Sequence, residues 1–428
     1  MITLWLYSIV TWLFWPFFHL LLIRRRLIQK ELPFRVRERR GIATKRRANA
    51  PLIWFHGASI GETLSILPLV QLLLSSYPKA EALITSGTIA SANLIETRLP
   101  ERAQHQFLPL DHPVWVQRFL DSWRPDVGVW AESEVWPNLL QQCKLRGVPI
   151  HLVNGRLSDL SFSRWQQFNS MARQLFSIFD SVLAQSARDQ HRFQQLGADR
   201  TVTAGNIKFA GDPLPASKTE IDGWQAAFLD RPVWFAANTH PGEEEVILDV
   251  HERLKDQHPS LITVIAPRHI ERVPDIQSTL LTNRTHALYS EGPDMIAAHS
   301  ILLVDQLGVL GPLYRTVEVA LVAGSLVPGI GGHNPIEPAR NGSSVLVGAH
   351  MESQLDLVDL FAQHDALVQI SDPNSLYDVV DLLLSDHGRR QELISRAKLL
   401  VDSQADVLRL YSSALLPKVS EIIGEASI

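Results

Sequence analysis

Leu52 to Tyr77 reads LIWFHGASIGETLSILPLVQLLLSSY. A short apolar run, LIWF (52–55), stops at the small-residue turn HGASIG (56–61), and a Leu-rich stretch runs from Thr63 to Tyr77. Four apolar residues bounded by a Gly-containing turn read as a buried strand. The longer stretch reads as a helix with Pro68 early in it. A strand that feeds a helix across a tight turn is the unit of a parallel α/β sheet.

The unit recurs outward from there. AEALITSGTIAS (80–91) gives a strand, a Ser/Thr/Gly turn and a helix. PDVGVW (125–130), VPIHLV (148–153), DSVLA (180–184) and Val202–Ala204 read as further strands. DPLPASKTEID (212–222), with two prolines among polar residues, reads as a linker. Beyond it the alternation restarts: PVWFAAN (232–238), a helix over 242–257, LITVIAP (261–267), a helix near 269–282, ILLVD (301–305), VALVAGS (319–325) and SVLVG (344–348). Residues 375–420 read as helices. The pattern predicts two doubly wound, Rossmann-like α/β domains whose strand carboxyl ends face a cleft, with the functional groups in the loops after strands.

The chain has 428 residues, 46% hydrophobic and 20% charged, which excludes a disordered chain, a collagen and a polytopic membrane protein. Its single cysteine, Cys143, excludes an internal disulfide and a Cys-rich metal site. The charge is split. Residues 1–47 hold eleven Lys and Arg against Glu31 and Glu38, a net of +9; the rest holds 29 basic and 43 acidic residues, a net of −14. A nucleic-acid binder spreads its basic charge over the folded domain, so none is expected as a partner.

Ile2 to Ile23 is an uncharged run of 22 residues carrying Trp5, Trp12, Trp15, Phe14, Phe17 and Phe18. As one helix it spans roughly 30 Å, a bilayer core. A cleaved signal peptide wants basic residues before the run, whereas here Arg24–Arg26 follow it. Residues 1–26 are therefore expected to be a retained membrane anchor, and 27–50 a basic juxtamembrane segment that lies on anionic lipid or is a solvated linker. The body then divides into domains 51–213 and 214–428, on the cytoplasmic side of the basic flank.

Several loops after strands carry chemistry. HGASIGE (56–62) leads small residues into a helix, with Glu62 in the first turn. Gly57 to Gly61 also fits G-x-S-x-G, which would make Ser59 the nucleophile of a membrane-anchored α/β-hydrolase (esterase). Its place before the other strands argues against that. WAESEVWPN (130–138) offers Glu132 and Glu134, on opposite sides if extended. VNGRLSD (153–159) offers Asn154 and Arg156, and GNIKF (205–209) offers Lys208. The acidic triplet of ANTHPGEEE (237–245) reads as first-turn helix chemistry rather than a metal site. APRHIER (266–272) supplies Arg268 and His269. AGSLVPGIGGHNPIEPA (323–339) is a Gly-rich turn into a helix start, an anion site in type, with His333, Asn334 and Glu337 close by. Neither a dinucleotide fingerprint, a Walker motif nor H-E-x-x-H spacing is present.

HGASIGE, ESEVWPN (132–138), NGRLS (154–158), GNIKF, THPGEEE (239–245), APRH (266–269) and GGHNPIEPA (331–339) occur in this order. Together they resemble the 3-deoxy-manno-octulosonate (Kdo) transferases of lipopolysaccharide inner-core synthesis. The resemblance implies a GT-B glycosyltransferase at the inner membrane. Such an enzyme moves Kdo from CMP-Kdo to a lipid A precursor (lipid IVA) with inversion, with no cofactor beyond the donor substrate. It implies Glu62 as general base, and Glu132 and Lys208 as transition-state stabilisers. It places Pro267, Arg268, Gly308, Val309, Leu310, Asn334, Pro335, Ile336 and Glu337 at CMP-contacting positions. Resembling proteins carry Gly-Glu-Leu where this chain has Gly308-Val309-Leu310, so a contact there is through the backbone. Lys208 and Arg268 supply positive charge without an acidic cage, so metal independence is expected.

Overall fold

The structure is a computed structural model that describes residues 2–211, 213–404 and 406–424. Met1, Asp212, Ala405 and 425–428, which belong to the expected anchor, linker and second domain, lie outside the described residues. The chain forms two compact units, residues 1–211 with 405–428, and residues 212–404.

The first unit is built on β1 (Leu52–His56), β2 (Glu81–Ser86), β3 (Ala103–Phe107), β4 (Val127–Ala131), β5 (Ile150–Gly155), β6 (Ser181–Ala184) and β7 (Thr201–Thr203). They form one parallel sheet in the order β3-β2-β1-β4-β5-β6-β7. β1 and β4 are buried along their whole length, which explains why they read as continuous apolar runs: helices cover both faces of the sheet. The strand order reverses between β1 and β4, so the loops after these two strands flank the switch point, where such sheets bind ligands.

The second unit contains β8 (Val233–Thr239), β9 (Ile262–Pro267), β10 (His286–Leu288), β11 (Ile301–Leu303), β12 (Val319–Val322), β13 (Ser344–Val347) and β14 (Val368–Gln369). Its parallel order is β10-β11-β9-β8-β12-β13-β14, with the switch point between β8 and β12. Within the expected linker, Ser217 and Glu220 form a reciprocal cap that starts the helix Lys218–Phe228.

Three features differ from the sequence reading. First, the 22-residue apolar run is not one helix. Ile2–Leu13 and Trp15–Leu27 are separate helices, bent by 62°, with Pro16 in the first turn of the second. Among the described residues no single helix is long and apolar enough to cross a membrane; the bent pair passes by length and composition together.

Second, the basic segment is partly interior. Arg35 and Arg39 are buried, paired with Glu38 and Glu31, and both guanidinium groups lie over the Phe107 ring. Glu38 also accepts from the Phe107 backbone N–H at 2.8 Å. The 3-10 turn Val36–Arg40 is thereby sewn to β3, whose sequence AQHQF shows no apolar pattern. Its His105 is satisfied by Ser86 Oγ and Arg35, and Gln106 accepts from Trp123 Nε1.

Third, the last helix, Val407–Ile423, belongs to the first unit and not to a domain 214–428. The Tyr411 hydroxyl donates to Gly205 O at 2.9 Å and accepts from Asn154 N at 3.1 Å, and the Tyr77 hydroxyl donates to Leu416 O.

Several buried histidines set an acid limit on stability. Burial, with help from Arg35, pushes His105 down to about 3, and burial pushes His151 and His251 down to about 4. The unfolded chain binds these protons near pH 6.5, so the stability they contribute is present above that value and drains away as pH falls toward 4. Asp111, pushed up to about 6 by burial, and Glu132, also pushed up by burial, act with the opposite sign, but the histidines, with His333 also down to about 4, outnumber them. The guanidinium midpoint is expected to fall steeply from pH 6.5 to 4.5, by several kcal/mol in unfolding free energy. A flat midpoint across that window would contradict this.

Candidate active site

In the first unit, the turn after β1 is shaped by Gly57, where a Cβ would lie 2.9 Å from the Thr63 backbone N. Ser59 caps the helix Ile60–Ser76: its Oγ accepts from the Glu62 N–H at 3.2 Å. In return Glu62 Oε2 accepts from the Ala58 N–H at 2.8 Å. This is a capping-box arrangement shifted by one donor. It fixes the carboxylate at the mouth of the sheet, and Oε1 takes no hydrogen bond among the described residues. Ser59 itself has extended backbone, φ −104° and ψ 171°, and its hydroxyl oxygen accepts the cap hydrogen bond. A nucleophile elbow needs a strained turn instead, so the esterase reading is not favoured.

Glu132 follows β4 in the left-handed region, φ +60°. A non-Gly residue there costs on the order of 1–3 kcal/mol. The backbone nevertheless stays in register, with its N–H donating to Val153 O at 2.8 Å. Residue 132 is thus not extended, which was the condition for the alternation expected of Glu132 and Glu134, and the Glu134 charge adds to the upward push on the Glu132 carboxyl. Burial pushes the Glu132 carboxyl up. Lys208 opposes this, with Nζ 3.8 Å from Oε1, while Glu62 reinforces it and Arg156 opposes. Glu62, Glu132, Glu134, Lys208 and Arg156 thus form one electrostatic cluster. Burial alone would raise Glu134 too, but His56, 4.0 Å away, and the Trp136 indole N–H at 2.9 Å bring it below the usual carboxylate range.

Lys208 is held by a device that sequence reasoning missed. Asn154, also left-handed at φ +55°, accepts from the Ile207 N–H through Oδ1 at 3.0 Å, and Asn206 Oδ1 accepts from the Lys208 N–H. The 3-10 turn that carries the lysine is therefore pinned from β5. The local signal was an Asn at the end of an apolar strand, a residue type that tolerates this backbone.

In the second unit every residue expected to contact CMP lies at the carboxyl edge of the sheet. Pro267 ends β9 and Arg268 follows it, exposed, with its N–H donating to Thr239 O. Gly308, at φ +86°, and Val309 precede the helix that starts at Leu310, in the connection after β11. After β12, Asn334 Oδ1 accepts from the Ile336 N–H, Pro335 stands at the cap, and Glu337 is in the first turn of Ile336–Asn341. The Gly-rich turn before them is tight: at Gly332, φ +79°, a Cβ would lie 2.1 Å from Met351 Sδ.

The organiser of this edge is Glu243, one of the three acids read only as helix-start chemistry. It is fully buried and accepts four backbone N–H groups: His240 and Gly324 at Oε2, Ser325 and Leu326 at Oε1. It ties the loop after β8 to the loop after β12, the pair that flanks the switch point. Glu244 is buried beside it, bound to Thr239 and to both terminal nitrogens of Arg272.

The His240 and His333 rings stack at 5.2 Å with Nε2 atoms 2.9 Å apart. Burial, then Arg268, His240 and His269, push His333 down to about 4. Among the described residues no group of three or more His, Cys, Asp or Glu has the geometry to hold a metal ion.

Comparisons with known proteins bear on family and fold. A family model described as 3-deoxy-D-manno-octulosonic-acid transferase (kdotransferase) matches residues 34–211. A 3-deoxy-D-manno-octulosonic acid transferase of Rickettsia bellii (strain RML369-C) is 33% identical over 391 residues, 90% of this chain and 92% of that protein. The one from Haemophilus influenzae is 30% identical over 346 residues, 80% of this chain and 81% of its own. Among solved structures, a putative UDP-N-acetylglucosamine 2-epimerase from Listeria monocytogenes aligns with TM-score 0.59 at 11% identity, over 89% of this chain and all of that one. Anabaena Alr3699/HepE in complex with UDP aligns with TM-score 0.57 at 14% identity, over 86% of this chain and all of its own. These two likenesses bear on fold alone and fit a pair of Rossmann-like units of the GT-B type. On the sequence relationships, the chain is a glycosyltransferase and belongs to the 3-deoxy-D-manno-octulosonic acid transferase family.

Proposed function

We propose that this enzyme transfers Kdo from CMP-Kdo to the lipid A precursor lipid IVA with inversion at the anomeric carbon, and that Glu62 is the general base. The observation that carries this is the Glu62 carboxylate: one oxygen is tethered to the Ala58 N–H at a sheet switch point, in a cluster with Glu132 and Lys208. In the reaction Glu62 Oε1 takes the proton of the acceptor hydroxyl as that oxygen bonds to the anomeric carbon. The bond from that carbon to the phosphate oxygen breaks, and CMP leaves with the electron pair. Glu132 stabilises the positive charge that develops at the anomeric carbon, and Lys208 the negative charge of the sugar acid's carboxylate. Arg268 and the amides of the Gly-rich loop bind the departing phosphate. Pro267, Gly308–Leu310 and Asn334–Glu337 hold the rest of the nucleotide, with Val309 acting through its backbone.

A lipid acceptor calls for work at a membrane. The apolar helix pair and the exposed Arg24, Arg26 and Lys30 suit attachment to the anionic inner membrane, with both units on its cytoplasmic side. Purified protein incubated with CMP-Kdo and lipid IVA is expected to give, by mass spectrometry, acceptor heavier by whole Kdo residues. Unchanged acceptor would overturn the proposal. With Lys208 and Arg268 assigned to the negative charges of sugar and phosphate, turnover is expected to persist in excess chelator. Activity that disappears in chelator and returns with Mg²⁺ would defeat that expectation.

A further inference from the structure

The two amino-terminal helices each dock one face and expose the other. On Ile2–Leu13 the docked face is Leu4, Tyr7, Ser8 and Thr11, one stripe at helical spacing. Tyr7 donates to Asp111 Oδ2 at 3.1 Å, Ser8 to Asn138 Oδ1 at 2.6 Å, and Asn138 Nδ2 donates to Thr11 Oγ1 at 3.0 Å. This helix packs on Pro113–Trp123, Pro137–Leu145 and Asn169–Phe176. Those three helices carry exposed charges: Arg118 and Asp121, Lys144, and Arg173 respectively. On Trp15–Leu27, Leu22 is buried, and Phe18 and His19 make edge contacts with the Trp115 ring.

The opposite faces are apolar and open. Trp5, Val10, Trp12, Trp15, Phe17 and Leu20 are all about half exposed or more, Arg24 and Arg26 stand in the last turn of the second helix, and Lys30 follows just beyond it. An apolar, Trp-rich surface with a cationic border fits the boundary between acyl chains and anionic headgroups.

Carrying the first helix through a bilayer would demand one of two things. Either Arg118, Asp121, Lys144 and Arg173 follow it toward hydrocarbon, or the ties to Asp111 and Asn138 break and leave buried polar groups unpaired. We therefore propose that the bent pair lies in the plane of one leaflet, its open apolar face in the acyl boundary and its cations on phosphate headgroups, and does not cross the membrane. This rests on the membrane attachment proposed above. Charge asymmetry alone does not separate the two topologies, because Arg24–Arg26 are cytoplasmic in both.

The test uses the full chain, with a protease-cleavable tag ahead of residue 1, in bacterial spheroplasts and in lysate. An in-plane pair keeps the tag cytoplasmic: it survives external protease in intact spheroplasts and is lost on lysis, while the protein sediments with membranes. A tag removed from intact spheroplasts overturns the in-plane placement and leaves the attachment standing. Protein that is soluble after detergent-free lysis overturns the attachment itself. A second variant, Trp12→Ser with Phe17→Ser, alters only open-face side chains, 53% and 57% exposed. Its partition onto phosphatidylglycerol vesicles is expected to fall about tenfold or more, with turnover of detergent-dispersed acceptor unchanged. Unaltered partition would overturn the assignment of this face.

Discussion

Glu62→Gln is expected to lower kcat by ~10²-fold or more while leaving the donor KM near its starting value. The amide keeps an oxygen to accept from the Ala58 N–H, so the turn and the helix start persist. What is lost is the ability to take a proton. The effect therefore separates chemistry from binding, and steady-state kinetics with CMP-Kdo varied at saturating acceptor reads it directly. Ser59→Ala is the control. It removes the cap of the same helix, about 1 kcal/mol of stability, and is expected to spare most turnover. A Glu62→Gln enzyme that keeps more than a tenth of its kcat would remove the carboxylate from its assigned role. A Ser59→Ala enzyme with no activity would reopen the hydrolase reading.

Glu243→Gln is expected to be the most destructive single change outside the proton-transfer group. The carboxylate meets four N–H donors with two oxygens. An amide has one oxygen, so two donors would face an NH₂ group in a fully buried setting. Losing roughly two charge-assisted hydrogen bonds costs about 3–5 kcal/mol, readable as a shift of the guanidinium midpoint. Glu243 is a positioning residue in this account and touches no substrate. The expected kinetic signature, measured where the variant is still folded, is therefore a rise in donor KM of ~10-fold or more, with a smaller change in kcat. A destabilised variant with an unchanged donor KM would reduce Glu243 to a structural role.

The two cases also show what a linear reading can reach. Glu62 is legible because everything that fixes it lies within a few residues: a strand end, small residues, a Ser three positions ahead and a helix start. The core strands are legible for the same local reason, since sheets buried on both faces leave continuous apolar runs. Glu243 is not, because three of its donors lie 81 to 83 residues downstream. Nor is β3, whose His105 and Gln106 become interior residues only through Ser86, Arg35 and Trp123. Arg35 and Arg39 misled by composition. Counted as charges they suggest a solvated collar, and it takes distant partners, Glu96 and His105 for Arg35, the Gly87 and Leu108 carbonyls for Arg39 and the Phe107 ring for both, to make them interior. The setting of Glu132 was obscured by its own left-handed backbone, which no periodicity announces.

The return of the last helix bears on synthesis at the ribosome. Tyr411 reaches the backbone of Asn154 and of Gly205, the latter just ahead of Lys208, yet it is translated 257 and 206 residues after them. The lobe that is begun first is thus closed last, after the whole intervening lobe has emerged. A nascent chain stalled before this helix emerges would carry every proposed chemical group and still lack the clasp beneath its lysine, so competence for sugar transfer arrives only once the helix has emerged and docked.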